Sequence, residues 1–142
     1  MQTSPLNSKV MFDIKNTNGA CKRVLIIDDD VDLVNSLKEL IQSEGFEVDT
    51  ASDGNIGIKM QISKPYNLVV TDIIMPTEDG LEVIMHIKKM FPQTMLMAMS
   101  GGGLVHSNDY LLMAKELGAS TVLSKPFDIG FFKSEVHRLA SR

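Results

Sequence analysis

Asn67-Leu68-Val69-Val70-Thr71-Asp72-Ile73-Ile74-Met75-Pro76 is a branched, uncharged run that meets a single carboxylate and then a turn-forming stretch, Pro76-Thr77-Glu78-Asp79-Gly80. A short apolar run without alternation, closed by a turn, reads as a parallel strand buried on both faces. Asp72 then stands where the backbone leaves the sheet. In open α/β sheets ligands gather at that rim, outside the carboxyl ends of the strands. Asp72 is therefore the first candidate for chemistry.

The same punctuation recurs on either side. Val24-Leu25-Ile26-Ile27 runs into Asp28-Asp29-Asp30, giving a first strand and its rim. Leu33, Leu37, Leu40 and Ile41 follow at helical spacing, with Asp30 placed to cap the first turn and Gly45 to end the last. Phe46 to Thr50 reads as a second strand, and Asp53-Gly54 opens a second helix in which Ile56 and Met60 share a face. After the central strand a third helix begins near Asp79 or Gly80, carries Ile84, Ile87 and Phe91 along one side, and stops at Pro92. Thr94 to Met99 forms the fourth strand. Its Met95, Met97 and Met99 alternate with Leu96 and Ala98, so both faces are apolar, the pattern of a doubly covered strand and not of a methionine-lined ligand site. Ser100 and Gly101-Gly102-Gly103 end it. A fourth helix from Ser107 to Leu117, a fifth strand from Ser120 to Ser124 and a last helix from Asp128 to Ala140 complete the chain. Strands alternating with helices in this way imply an α/β, doubly wound, five-stranded parallel sheet, covered by five helices in three layers with right-handed crossovers.

With 142 residues and 44% hydrophobic content, the chain suits one domain around one core. Residues 1–21, with Pro5, Gly19 and little periodic hydrophobicity, are expected to form a flexible extension to a domain at 22–142. No run reaches the roughly 18 apolar residues of a membrane helix and the N-terminus lacks a signal peptide's apolar stretch, so a cytoplasmic protein is expected. The lone Cys21 has no partner for an internal disulfide. A formal charge of -4 points to protein partners in preference to nucleic acid or membrane. His86, His106 and His137 are scattered over separate helices or their starts, away from the acidic cluster, and read as surface residues.

Four strands end in groups able to do chemistry: Asp28, Asp29 and Asp30 after the first, Asp72 in the third, Ser100 after the fourth, and Ser124 with Lys125-Pro126 after the fifth. Each alone is an ordinary cap, turn or solvated residue. Together they make a coherent set. Crowded carboxylates repel and take up protons unless a cation intervenes. Hard oxygen ligands at one rim suit Mg²⁺, which keeps several waters and needs only one or two carboxylates. A carboxylate so placed can attack a phosphoryl group while the metal and Lys125 neutralise its oxygens and Ser100 donates a hydrogen bond.

These residues carry a family resemblance. Residues 23–140 resemble the receiver domain of two-component response regulators, of the single-domain, chemotaxis-regulator type. The matching pieces are Val24 to Asp30, Leu68 to Pro76 with Asp79-Gly80, Met99-Ser100-Gly101, and Leu123-Ser124-Lys125-Pro126-Phe127. The resemblance implies a flavodoxin-like sheet of order 2-1-3-4-5. It makes Asp72 the phosphoacceptor, assigns the metal to Asp28, Asp29, Asp72 and the Ile74 carbonyl, and gives Ser100, Gly101 and Lys125 the phosphate-contacting and switch roles. It also implies a cis bond before Pro126. The partners it implies are a sensor histidine kinase or histidine phosphotransfer protein and an output protein reached through the fourth helix, fifth strand and fifth helix. It implies a monomer or a phosphorylation-dependent homodimer, and a signalling switch that assists its own phosphorylation and dephosphorylation without being an enzyme in the ordinary sense. Val122 departs from the pattern: receivers often place an aromatic ring there that swings inward on activation, and a short branched side chain cannot. Ile74, two residues past the acceptor, is apolar at a position that governs water's access.

Three other readings compete. Asp28-x-Asp30 after an apolar strand is similar to the nucleophile and general acid of small Mg²⁺-dependent haloacid-dehalogenase-type phosphatases. The chain could also be a receiver excised from a larger regulator, or a degenerate receiver that binds partners without phosphorylation.

Overall fold

The computed structural model describes residues 21–75, 80–101 and 107–142. Within them five strands and five helices alternate: β1 (Arg23–Ile27), α1 (Val31–Ser43), β2 (Glu47–Ala51), α2 (Gly54–Ser63), β3 (Leu68–Asp72), α3 (Gly80–Met90), β4 (Met95–Ser100), α4 (Ser107–Leu117), β5 (Thr121–Ser124) and α5 (Ile129–Ala140). All strand pairs are parallel and the spatial order is β2-β1-β3-β4-β5, the flavodoxin-like arrangement. Of the expected extension at 1–21, residues 1–20 lie outside the described residues.

The unalternating strands have a direct cause. Leu25, Ile27, Val69, Leu96 and Ala98 face one core with Ile84, Ile87 and Leu111 from α3 and α4. Val24, Ile26, Val70, Met97 and Met99 face a second core with Leu37 and Ile41 of α1 and Phe132 and Val136 of α5. Successive side chains of a strand point to opposite faces, so a sheet covered on both sides has no polar face to show. Burying each such aliphatic side chain contributes about 1.5–3 kcal/mol, and the runs Val24 to Ile27 in β1 and Leu68 to Val70 in β3 are wholly inaccessible.

Helix starts follow their caps. The side chains of Asp30, Asp53 and Asp128 accept hydrogen bonds from the N–H groups of Leu33, Ile56, and Gly130 with Phe131 respectively. Gly45 lies just past α1 at φ 99°, where a side chain would be strained. In helix α2 the face shared by Ile56 and Met60 is not the buried one, although Met60 packs partly against the core. Ile56 is exposed, and the buried positions are Gly54, Gly57 and Gln61. A side chain at Gly57 would collide with Ile27, so its absence lets α2 lie close on β1 and rotates the small residues inward. Gln61 is buried without penalty because its amide donates to Thr94 Oγ1 at 2.9 Å and accepts from the Tyr66 N–H at 2.9 Å.

Candidate functional site

Parallel pairing with β1 beside β3, β3 beside β4 and β4 beside β5 brings the carboxyl ends of these strands to one rim. Ile27 is in register with Thr71, Asp72 with Met99, and Ser100 with Ser124. Asp28 follows Ile27 and Lys125 follows Ser124, so a three-residue acidic run, a central carboxylate, a hydroxyl and an ammonium meet there. The Lys125 N–H donates to the Ser100 carbonyl at 2.8 Å, which locks the ends of β4 and β5 together. The Lys125–Pro126 peptide bond is cis.

The rim is deeply set. Asp28 is 2% exposed, Asp72 4% and Ser100 0%. Lys125 Nζ donates to Asp28 Oδ2 at 2.7 Å, and the other oxygen of Asp28 accepts the Asp30 N–H at 3.0 Å. Asp72 Oδ1 lies 3.5 Å from the same ammonium, close enough for Coulombic attraction but longer than a charge-assisted hydrogen bond. Among the described residues it has no hydrogen-bond partner, and neither does Ser100 Oγ. Buried polar atoms are normally satisfied, and leaving one bare costs about 1–3 kcal/mol. Two such atoms on adjoining strand ends mark a place built to receive something.

The electrostatics agree. Burial, followed by the neighbouring charge of Asp28, pushes the Asp72 carboxyl up from 3.8 to about 6, against the opposing pull of Lys125. Burial works against the charge of Lys125 too, but its hydrogen bond to Asp28 and the charges of Asp72 and Asp28 outweigh it, so its pKa rises. Asp28, Asp29 and Asp72 can each offer a carboxylate oxygen within 4.8 Å of the others, with Asp29 exposed and the other two buried. A hard divalent cation fits this set: it would neutralise the crowding that one ammonium leaves uncompensated and engage the bare oxygen of Asp72.

The remaining candidates fall around this cluster. Ile74 is partly buried two residues beyond Asp72, and Gly101 is partly buried with open space where a Cβ would stand. Val122 is partly buried against the core on the α2, α3 and α4 side of the sheet. Asp30 is exposed, and its carboxylate accepts the Leu33 N–H at 3.1 Å as the cap of α1. Its backbone N–H on Asp28 is a contact that no residue pattern announces. His86 is exposed on α3, and His137 is exposed on α5 where it pairs with Glu44 at 2.9 Å. Pro76, Asp79, Gly102, Gly103 and His106 lie outside the described residues. No described helix is long and apolar enough to cross a membrane.

Comparison with known proteins points one way. Residues 24–137 match the family model described as "Response regulator receiver domain". The chain is 32% identical over 123 residues to the transcriptional regulatory protein CpxR homolog of Haemophilus influenzae, covering 84% of this chain and 52% of that protein. It is 34% identical over 109 residues to the alkaline phosphatase synthesis transcriptional regulatory protein PhoP of Bacillus subtilis, covering 75% of this chain and 43% of that one. The chain thus spans about half the length of the curated relatives it matches. Among solved structures, the response regulator TrrA from Thermotoga maritima in complex with Mg²⁺-BeF superposes with a TM-score of 0.72 at 32% identity, covering 83% of this chain and 98% of that one. The beryllofluoride-activated NtrC4 receiver domain dimer superposes with a TM-score of 0.76 at 29% identity, covering 84% and 96%. With a parallel 2-1-3-4-5 sheet, an acidic cluster of buried Asp28 and Asp72 and exposed Asp29 beside a lysine at its rim, and a family model matched from residue 24 to residue 137, the chain belongs to the response regulator receiver domain family.

Proposed function

We propose that residues 22–142 act as a phosphorylation-controlled switch in a two-component relay, with Asp72 as the phosphoacceptor. The observation that carries this reading is the buried Oδ1 of Asp72, which has no hydrogen-bond partner among the described residues and lies 3.5 Å from the Lys125 ammonium that also holds Asp28. In the reaction an oxygen of Asp72 attacks the phosphorus of a phosphohistidine on a sensor kinase or histidine phosphotransfer protein. The new O–P bond forms as the P–N bond breaks, and the imidazole nitrogen leaves with the electron pair. Lys125 moves its ammonium toward the incoming phosphoryl oxygens, and Ser100 supplies its idle hydroxyl as a hydrogen-bond donor. Asp28, Asp29, Asp72 and the Ile74 carbonyl would hold Mg²⁺, which when bound supplies charge neutralisation at the phosphoryl group. Gly101 leaves backbone room beside Ser100. Later attack by water on phosphorus returns the carboxylate, and the apolar Ile74 sets how easily that water enters. The protein is a switch that turns its own state over, not a catalyst acting on a separate substrate.

Output leaves through α4, β5 and α5, where Leu112 and Met113 stand exposed. With Val122 in place of an inward-swinging ring, the change runs through the segment after Ser100 into α4. Amide exchange measured with and without beryllofluoride tests this: unchanged protection in α4 and β5 rules the route out. The expected assembly is a monomer or a phosphorylation-dependent homodimer, told apart by sedimentation with and without beryllofluoride, and the activated receiver dimer among the related structures supports the second.

The central test is incubation with acetyl phosphate and Mg²⁺, followed by mass spectrometry of intact and digested protein. One phosphoryl group on Asp72, absent in Asp72→Asn, is expected. Modification of Asp28 with phosphate-ester turnover surviving Asp72→Asn would favour the phosphatase reading instead. Against that alternative, the Asp30 carboxylate, which would have to serve as general acid, caps α1 through the Leu33 N–H. A chain that takes no phosphoryl group at all would be a degenerate receiver.

A further inference from the structure

Gly80 is the first residue of α3, and it is pressed against the backbone that leaves Asp72. Its N–H donates to the Ile73 carbonyl at 2.7 Å. A Cβ at this position would overlap the Asp72 carbonyl oxygen and stand 2.5 Å from Ile73 Cα and 2.7 Å from the Ile73 oxygen. All three are main-chain atoms, so no change of rotamer relieves the clash. This separates Gly80 from the other crowded glycines: at Gly57 the obstacle is the side chain of Ile27, and at Gly118 the stem of Lys88. Nor is backbone handedness the reason for glycine here, since among the described residues the positive-φ glycines are Gly45 and Gly118. Close approach is the reason.

On its other edge the same segment is held by the sheet, where the Ile73 N–H donates to the Met99 carbonyl at 2.8 Å. The backbone between Asp72 and Ile74 is therefore clamped between β4 and the first residue of α3. Any displacement would move the Asp72 carboxylate at one end and Ile74 at the other.

We infer that Gly80 is a positioning residue for the cation and phosphoryl site: it touches no ligand, and its missing side chain sets where Asp72 and Ile74 stand. This rests on the reading of Asp72 and Ile74 given above. Partners one shell away from a metal's ligands commonly alter affinity by about 10–100-fold when replaced, and Gly80 acts at that remove.

The test compares Gly80→Ala with Gly118→Ala in the full chain. The second variant is strained at φ 126° and lies at the end of α4 beside β5's amino end, so it controls for lost stability alone. Thermal melting and Mg²⁺ calorimetry are run at a temperature where all proteins are folded. Gly80→Ala is expected to bind Mg²⁺ about tenfold more weakly or worse, while Gly118→Ala melts earlier and keeps the wild-type affinity. A folded Gly80→Ala with wild-type affinity, or an equal loss in Gly118→Ala, overturns the inference. Should Gly80→Ala fail to fold, amide exchange of the unaltered chain decides: Mg²⁺ with beryllofluoride must slow exchange at the Gly80 and Ile73 amides more than in α5, and unchanged protection overturns the inference. A wild-type chain that binds no Mg²⁺ overturns both this and the function proposed above, whereas normal wild-type binding with an indifferent Gly80→Ala overturns this alone.

Discussion

At the scale of single residues, the rim stores unfavourable charge. The folded Asp72 carboxyl titrates near 6 where an ordinary one titrates at 3.8, so the folded state binds that proton more tightly than the unfolded chain does. The ionised group therefore opposes folding at pH 7, and its cost fades as pH falls from above 6 toward 4. At about 1.4 kcal/mol per pKa unit, Asp72→Asn should stabilise the metal-free protein by about 3 kcal/mol at pH 7. The gap from wild type should close near pH 4, as measured by urea unfolding in chelator. Lys125→Met should do the opposite, since it leaves Asp28 buried beside Asp72 with no ammonium. A loss of about 3 kcal/mol is expected in chelator, shrinking when millimolar Mg²⁺ is added. The identities of these residues were readable in the sequence because each ends a strand. Which carboxylate receives the ammonium was not: Lys125 lies 2.7 Å from Asp28 and 3.5 Å from Asp72, a difference fixed by backbone placement that no pattern encodes.

At the scale of elements, α2 shows where periodicity misleads. Its apolar residues suggested a face containing Ile56 and Met60, yet close approach to β1 was decided by the small Gly57. Gly57→Ala tests this with two effects of opposite sign. Alanine favours the helix by about 1 kcal/mol, while crowding against Ile27 costs about 1–3 kcal/mol. Net destabilisation is expected, and combining it with Ile27→Val, which trims the colliding methyl, should cost less than the two separate losses summed. Removal of the cap by Asp53→Ala should lower stability by about 1 kcal/mol through the freed Ile56 N–H, with no change in Mg²⁺ affinity. The strands were legible almost to the residue because a doubly covered sheet demands continuous apolar runs. The sequence pattern places the second strand one residue early, since Phe46 packs on the core from just outside β2 and looks like part of it.

For the whole molecule, two carboxylates bend the pH dependence of stability in opposite directions. Hydrogen bonds from Arg138, then from Thr121, hold Glu135 down at about 2, so its contribution is complete above the usual glutamate value and drains away as pH falls toward 2. Asp72 contributes its gain between 6 and 4. Metal-free protein should therefore be most stable near pH 4 to 5, and Glu135→Gln should flatten the acid side of a plot of urea midpoint against pH. The strand order came from resemblance, because alternation of strands and helices fixes a parallel sheet without saying which neighbours pair. That order has a temporal consequence. Lys125 bonds to Asp28 across 97 positions of chain, so a ribosome must deliver nearly the entire domain before the ammonium can meet its carboxylates. A nascent chain cannot assemble the acidic rim around its ammonium until β5 docks, so the site forms only once synthesis of the sheet is finished.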